Sequence, residues 1–317
     1  MIPYIHVPDL HLGPLTLHPF GLLVATGVII GTALATRRAR RLGIDLDRLN
    51  SFITWMLAGG FIGGHMLDEI FYHPAEIAQR WWSLFMLWEG LSSFGGFTGG
   101  LIGVLLWKYF EVMPNWAIKK RARPQPILPF CDVILAVFPV AWIFGRSGCS
   151  TVHDHPGVLL RDANDPLHGL LAVAYPGPGD SVPADKLLLL HGHAPRFDLG
   201  TLELMFTIVL ALLLALTWHR KLATGTYVVV VSLAYAPVRF AMDFLRITVA
   251  EDPHNADLRY GFAKLQLTPA QWEAVALFVF GIVMWFYVRS LRKRGVDPMD
   301  EVMMPPERAS DGAALAT

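Results

Sequence analysis

FPVAWIFGRSGCSTVHDHPG, residues 138–157, begins as an apolar run and ends in titratable side chains. Arg146 closes the oily part. Cys149, His153, Asp154 and His155 follow, before the turn signal Pro156-Gly157. The first half has to leave water, and the second half needs water, a partner or a ligand. A helix that crosses a membrane and ends at its surface meets both demands.

The rest of the chain supports that placement. Over 317 residues, 54% are hydrophobic and only 16% charged, against about 25% charged in soluble domains. The net charge is zero, so nothing points to nucleic acid as a partner. A spanning helix takes about 20 mostly apolar residues. Seven stretches qualify: roughly 17–36, 51–72, 84–107, 128–147, 199–218, 225–246 and 269–288. Basic residues fall between spans one and two (Arg37, Arg38, Arg40, Arg41, Arg48) and between three and four (Lys108, Lys119, Lys120, Arg121, Arg123). They recur between five and six (Arg220, Lys221) and after seven (Arg289, Arg292, Lys293, Arg294). With seven spans all four segments share one side, which positive-inside bias makes cytoplasmic. The sequence therefore predicts an all-α, multi-pass membrane protein with its N-terminus outside and C-terminus inside. The transmembrane domain covers 1–297, with a long extracytoplasmic loop at about 149–198 and a disordered cytoplasmic tail at 298–317. The first residues have no basic n-region, so no cleavable leader is expected.

Charges within spans are costly and face a cavity or a partner. His65, Asp68 and Glu69 lie in span two, Glu89 in three, Asp132 and Arg146 in four, and Glu203 in five. In span six, Tyr235, Arg239, Asp243 and Arg246 are spaced by four, four and three, one helical face. These groups either form buried ion pairs that fix helix packing or make a site. Arginine forks suit phosphate. Arg146 and Arg239, near the outer ends of their spans, fit a lipid phosphate between apolar walls. The glycine-rich GGFIGGH (59–65) and SSFGGFTGGLIG (92–103) suggest close helix packing. A break near 90–100 that bares backbone groups is the other reading of the second stretch.

The loop after span four leaves three readings open. His153, Asp154 and His155 are metal ligands with His191 and His193, an acid–base group at the lipid boundary, or a plain polar loop. Neighbours in an extended H-D-H triplet point in opposite directions, so no metal and no cofactor are predicted. Cys131 and Cys149, on one helix, would stand roughly 27 Å apart, too far for a disulfide.

Several motifs resemble one family, the bacterial prolipoprotein diacylglyceryl transferases. LGPLTLHPFGLLVATG (12–27) is similar to its opening span, and WEGLSSFGG (88–96) to its third-span motif. GRSGCSTVHDHPG (145–157) is similar to its signature GRxGNFINGExxG. YAPVRFAMDFLR (235–246) is similar to its Y-G-x-x-R-x-x-x-E-x-x-R pattern. The resemblance implies transfer of a diacylglyceryl group from phosphatidylglycerol to the lipobox cysteine of a prolipoprotein, with a thioether formed and glycerol phosphate released. It implies a multi-pass protein of the bacterial plasma (inner) membrane, whose partners are phosphatidylglycerol, prolipoprotein signal peptides and membrane lipid. By the same resemblance Arg146 and Arg239 hold the phosphate and stabilise the leaving group. Arg246, Asp243, Tyr235, Glu203, Gly157, His65 and Ser93 join the substrate site. Three departures stand out. Gly95 occupies the place of a motif histidine, Cys149 and Val152 replace asparagines, and Asp154 replaces a glutamate. The thiol-activating base is then expected among His153, Asp154 and His155. A non-catalytic protein that binds anionic phospholipid or lipoprotein is the alternative.

Overall fold

A computed structural model describes residues 1–5, 7–12, 15–86, 90–113, 117–160, 170–176, 193–247, 259–262 and 265–303. Eight α-helices run through these residues: α1 (Pro19–Leu42), α2 (Leu46–Tyr72), α3 (Pro74–Gln79), α4 (Ser93–Tyr109), α5 (Leu128–Val152), α6 (Leu199–Ala215), α7 (Thr226–Met242) and α8 (Pro269–Lys293). Four are long and apolar enough to cross a membrane: α1, α5, α8, and α7 taken with the 3₁₀ turn that extends it to Leu245. α6 is apolar but shorter.

The chain is mostly helical rather than all-helical. The strands are β1 (Ile2–Pro3), β2 (Leu10–Leu12), β3 (Leu15–Leu17), β4 (Phe110–Val112), β5 (Ile118–Lys120), β6 (Pro156–Leu159), β7 (Ala172–Pro176), β8 (His193–Asp198), β9 (Tyr260–Phe262) and β10 (Leu265–Leu267). β2–β3, β4–β5 and β9–β10 are antiparallel pairs. The other four form one sheet in the order β1-β7-β8-β6, with β1 parallel to β7 and the remaining pairs antiparallel. β6, β7 and β8 all come from the segment read as a long loop. Their alternation is short and interrupted by Pro and Gly, which hid them.

The chain divides into two compact units. The first comprises 1–31, 137–220 and 235–275; the second comprises 32–136, 221–234 and 276–317. In the second, α2 and α4 pack backbone to backbone. A Cβ at Gly99 would lie 2.2 Å from the carbonyl oxygen of Gly59, and one at Gly103 equally close to that of Trp55. Small residues permit this approach in lipid, where no hydrophobic effect pulls helices together. Residues 90–92 precede the helix, and from Ser93 onward α4 is continuous, so Gly95, Gly99 and Gly103 pack rather than break it. Ser92 caps it, accepting from the Gly95 N–H at 3.1 Å. Asp132 is buried and accepts from the N–H groups of Tyr227 and Val228 at 2.8 and 3.3 Å. There its charge meets the positive end of α7. Residues 298–301 form a 3₁₀ turn, and the Asp45 N–H donates to the carbonyl of Val302.

Candidate functional site

In the first unit, α5, α6 and α7 carry a line of alternating charges. Arg146 Nε lies 2.9 Å from Glu203 Oε1, and Arg239 Nε lies 3.9 Å from Glu203 Oε2. Arg239 Nη1 donates to Asp243 Oδ1 at 2.6 Å, and Arg246 Nε donates to the same oxygen at 2.8 Å. Arg146 is 3% exposed, Glu203 2% and Asp243 0%. Buried charges persist only when paired, and here each carboxylate is shared by two arginines. Glu203 also accepts from Tyr235 Oη at 2.5 Å and Trp142 Nε1 at 3.0 Å. The Arg146 guanidinium lies over the Trp142 ring, 4.6 Å from its centroid. Trp142 and Arg146 are one helical turn apart on α5, a spacing visible in the sequence.

Arg146 is close to Glu203 in distance but poorly aimed at it. Its Nε makes no well-directed hydrogen bond, and its buried Nη2 has no hydrogen-bond partner among the described residues. Nη1 donates to Cys149 Sγ at 3.5 Å. Nε and Nη2 are thus the guanidinium nitrogens with no well-directed hydrogen bond among the described residues.

The first turn of α8 closes onto the same charges. Thr268 and Gln271 form a reciprocal capping box: Thr268 N–H donates to Gln271 Oε1, and Gln271 N–H to Thr268 Oγ1, both at 3.1 Å. The Thr268 hydroxyl also donates to Asp243. Glu273, one turn further along α8, is within electrostatic reach of Arg239 and Glu203. It lies within the seventh apolar stretch, where a charge is costly, and was not among the expected site residues. Gly157 acts through its backbone. It bridges to Arg246, and a Cβ there would lie 2.5 Å from the carbonyl oxygen of Leu245.

The residues after α5 separate into two groups. His153 ends the helix in a left-handed conformation, φ 53°, with its N–H donating to the Cys149 carbonyl. That conformation is usual for Gly or Asn at a helix C-terminus and costly for histidine. The compensation is side-chain bonding. His153 Nδ1 meets Asp198 Oδ2 at 2.5 Å, Nε2 meets the Ile5 carbonyl at 3.2 Å, and the ring stacks on Tyr4. Asp198 is fully buried. It also accepts from Tyr175 Oη at 2.8 Å and caps α6 through the Thr201 N–H. Burial and the adjacent Asp198 carboxylate raise the Tyr175 phenol above its ordinary range, so it stays a donor. Both nitrogens of His153 are engaged in holding the loop. His155 and Asp154 are partly exposed and pair with each other, Nδ1 to Oδ1 at 2.6 Å.

His65 and Ser93 lie in the second unit. His65 is fully buried, with its ring nitrogens 3.1 Å from the Gly90 carbonyl and 2.8 Å from that of Ser83. Ser83 Oγ donates to Glu69 at 2.6 Å. Ser93 opens α4 beside the capping Ser92. Glu89 and His191 lie outside the described residues.

The model of the prolipoprotein diacylglyceryl transferase family matches residues 9–287. The chain belongs to that family. It is 28% identical to the phosphatidylglycerol–prolipoprotein diacylglyceryl transferase of Nitratidesulfovibrio vulgaris, over 91% of this chain and 95% of that protein. It is 26% identical to the enzyme of that name from Chromohalobacter salexigens, over 92% and 94%. With the Bordetella bronchiseptica enzyme it shares 27%, over 90% and 96%. The matched residues 9–287 include α5, α6 and α7, which carry the charge line.

Proposed function

We propose that the chain transfers a diacylglyceryl group from phosphatidylglycerol to the lipobox cysteine of a prolipoprotein, forming a thioether and releasing glycerol phosphate. The observation that carries this is Arg146: a buried guanidinium, ion-paired on one side and still open to an anion on the other, with Arg239 on the same Glu203. A phosphate seated there gains charge as the glycerol carbon–oxygen bond breaks, and fixed cations stabilise that change without reorganising. Glu203, Tyr235 and Asp243 hold the two arginines in place, Arg246 and Gly157 set the end of α7, and the Asp154–His155 pair serves the acceptor thiol. His153 positions that pair rather than moving a proton.

The topology is seven spans with the N-terminus outside, in the bacterial inner membrane. It is supported by the four long apolar helices, by the 27-residue α2 and the shorter α4 and α6 as further crossings, and by basic residues in the last turns of α1, α4 and α8.

WEGLSSFGG (88–96) contains no histidine where the similar motif is expected to carry one, which favours a second reading, a protein that binds anionic lipid or lipoprotein without chemistry. One experiment separates the two. Purified chain in vesicles containing phosphatidylglycerol is given a lipobox peptide, and the peptide mass and released glycerol phosphate are measured. Thioether product that depends on Arg146 is expected. Its absence from active-concentration wild-type protein would leave only binding.

A further inference from the structure

The left-handed turn at His153 folds the chain back on itself. As a result Cys149 Sγ, an Asp154 carboxylate oxygen and a His155 ring nitrogen all lie within 4.8 Å of one another. An extended H-D-H triplet would point neighbouring side chains apart, whereas this turn brings Asp154 and His155 together beside Cys149. We propose that these three side chains hold a divalent transition-metal ion, zinc being the best fit, and that its open position takes the acceptor cysteine as a thiolate.

The donor set fits the ion. One thiolate, one imidazole and one carboxylate suit zinc or cobalt, not the hard cations that require oxygen shells. Three protein ligands with a vacant fourth position are the pattern of catalytic rather than structural zinc sites. Some point lies within about 2.8 Å of all three donor atoms, against ~2.0–2.3 Å for zinc bonds, so modest side-chain shifts close the site. Asp154 and His155 can make those shifts, being 39% and 26% exposed, and they leave a path of entry. Cys149 is buried and fixed, and Arg146 Nη1 donates to its sulfur. N–H groups of this kind steady a metal-bound thiolate without displacing it. The charges close as well. The Cys149 thiolate and Asp154 offset the ion, while Arg146 is offset by Glu203.

A metal here would activate the acceptor thiol directly. A thiol that coordinates a metal is deprotonated outright. Its proton goes to solvent, so no general base is required. The metal-bound sulfur attacks the glycerol carbon of phosphatidylglycerol. The carbon–sulfur bond forms, the carbon–oxygen bond breaks, and its electron pair leaves on the phosphate beside Arg146. Nothing is oxidised or reduced. The thiol-activation step rests on the transferase reading; the metal site itself does not.

The test uses the full chain in detergent, stripped with chelator and titrated with cobalt and with zinc. One equivalent is expected to bind, with a thiolate-to-cobalt charge-transfer band. Cys149→Ser should abolish the band, and His155→Asn should weaken zinc binding at least tenfold. Adding a lipobox peptide with a free cysteine should change the cobalt spectrum, while its Cys-to-Ser counterpart should not. Absence of stoichiometric binding, or equal binding by Cys149→Ser and His155→Asn, overturns the proposal whatever the transfer activity. Full transfer by the stripped protein overturns the thiol-activation role. Stoichiometric binding through the three residues, with no transfer under any condition, supports the site and removes the transferase reading instead.

Discussion

Between α2 and α4 the helices meet with no side chains in the way: Gly59, Gly63, Gly99 and Gly103 place main chain against main chain. Between α5, α6 and α7 the helices meet through long charged side chains, Arg146, Glu203, Arg239 and Asp243. Both regions are in apolar surroundings, and both dispense with ordinary leucine packing. The seam gains van der Waals contact and tolerates no added atom. The charge line gains ion pairs and tolerates no lost partner. A seam of that kind has no group to offer a ligand, whereas a line of shared carboxylates can exchange one partner for a phosphate.

The largest effect should come from the seam. Gly99→Leu puts a side chain where even a Cβ meets backbone at 2.2 Å. The protein should fail to accumulate as a monodisperse species on size exclusion in detergent, and normal yield and melting would break the contrast drawn above. Arg146→Lys keeps the charge opposite Glu203 and loses the fork. Transfer should fall roughly 10²–10³-fold while the thermal midpoint stays near wild type. A matching fall in midpoint would mean that Arg146 only packs. Full removal by Arg146→Ala is less informative, because it also takes from buried Glu203 its nearer cation and leaves the more distant Arg239 to balance it.

Gly157→Ala should cost about 1–3 kcal/mol through its clash with Leu245. It displaces the backbone of Arg246, so KM for phosphatidylglycerol should rise with kcat less affected. Tyr235→Phe removes one bond to a buried carboxylate, worth about 1.5–3 kcal/mol. Roughly tenfold lower transfer is expected, read in the same vesicle assay. His193→Ala, on the exposed start of β8, should leave transfer within about twofold. A larger loss would extend the site along that strand.

The charge line was legible in the sequence because costly residues inside apolar runs declare themselves. Arg239, Asp243 and Arg246 announced their common face by spacing, and the resemblance brought Arg146 and Glu203 to them. Glu273 carried the same signal and was missed. Asp198, Tyr175 and Tyr4 gave no such signal, since they act from a sheet assembled out of short, irregular strands. The fate of His153 was hidden too. The positive φ at His153 turns Asp154 and His155 back toward Cys149, and residue spacing alone does not anticipate that turn.

Gly95 limits how the seam can be altered. A Cβ at that position would lie 2.3 Å from the carbonyl oxygen of Gly63. The obstacle is main chain, which no substitution on α2 can delete. Any side chain placed there would first require the two helices to separate. A base engineered into this part of α4 must therefore go to a neighbouring position and leave the glycine in place.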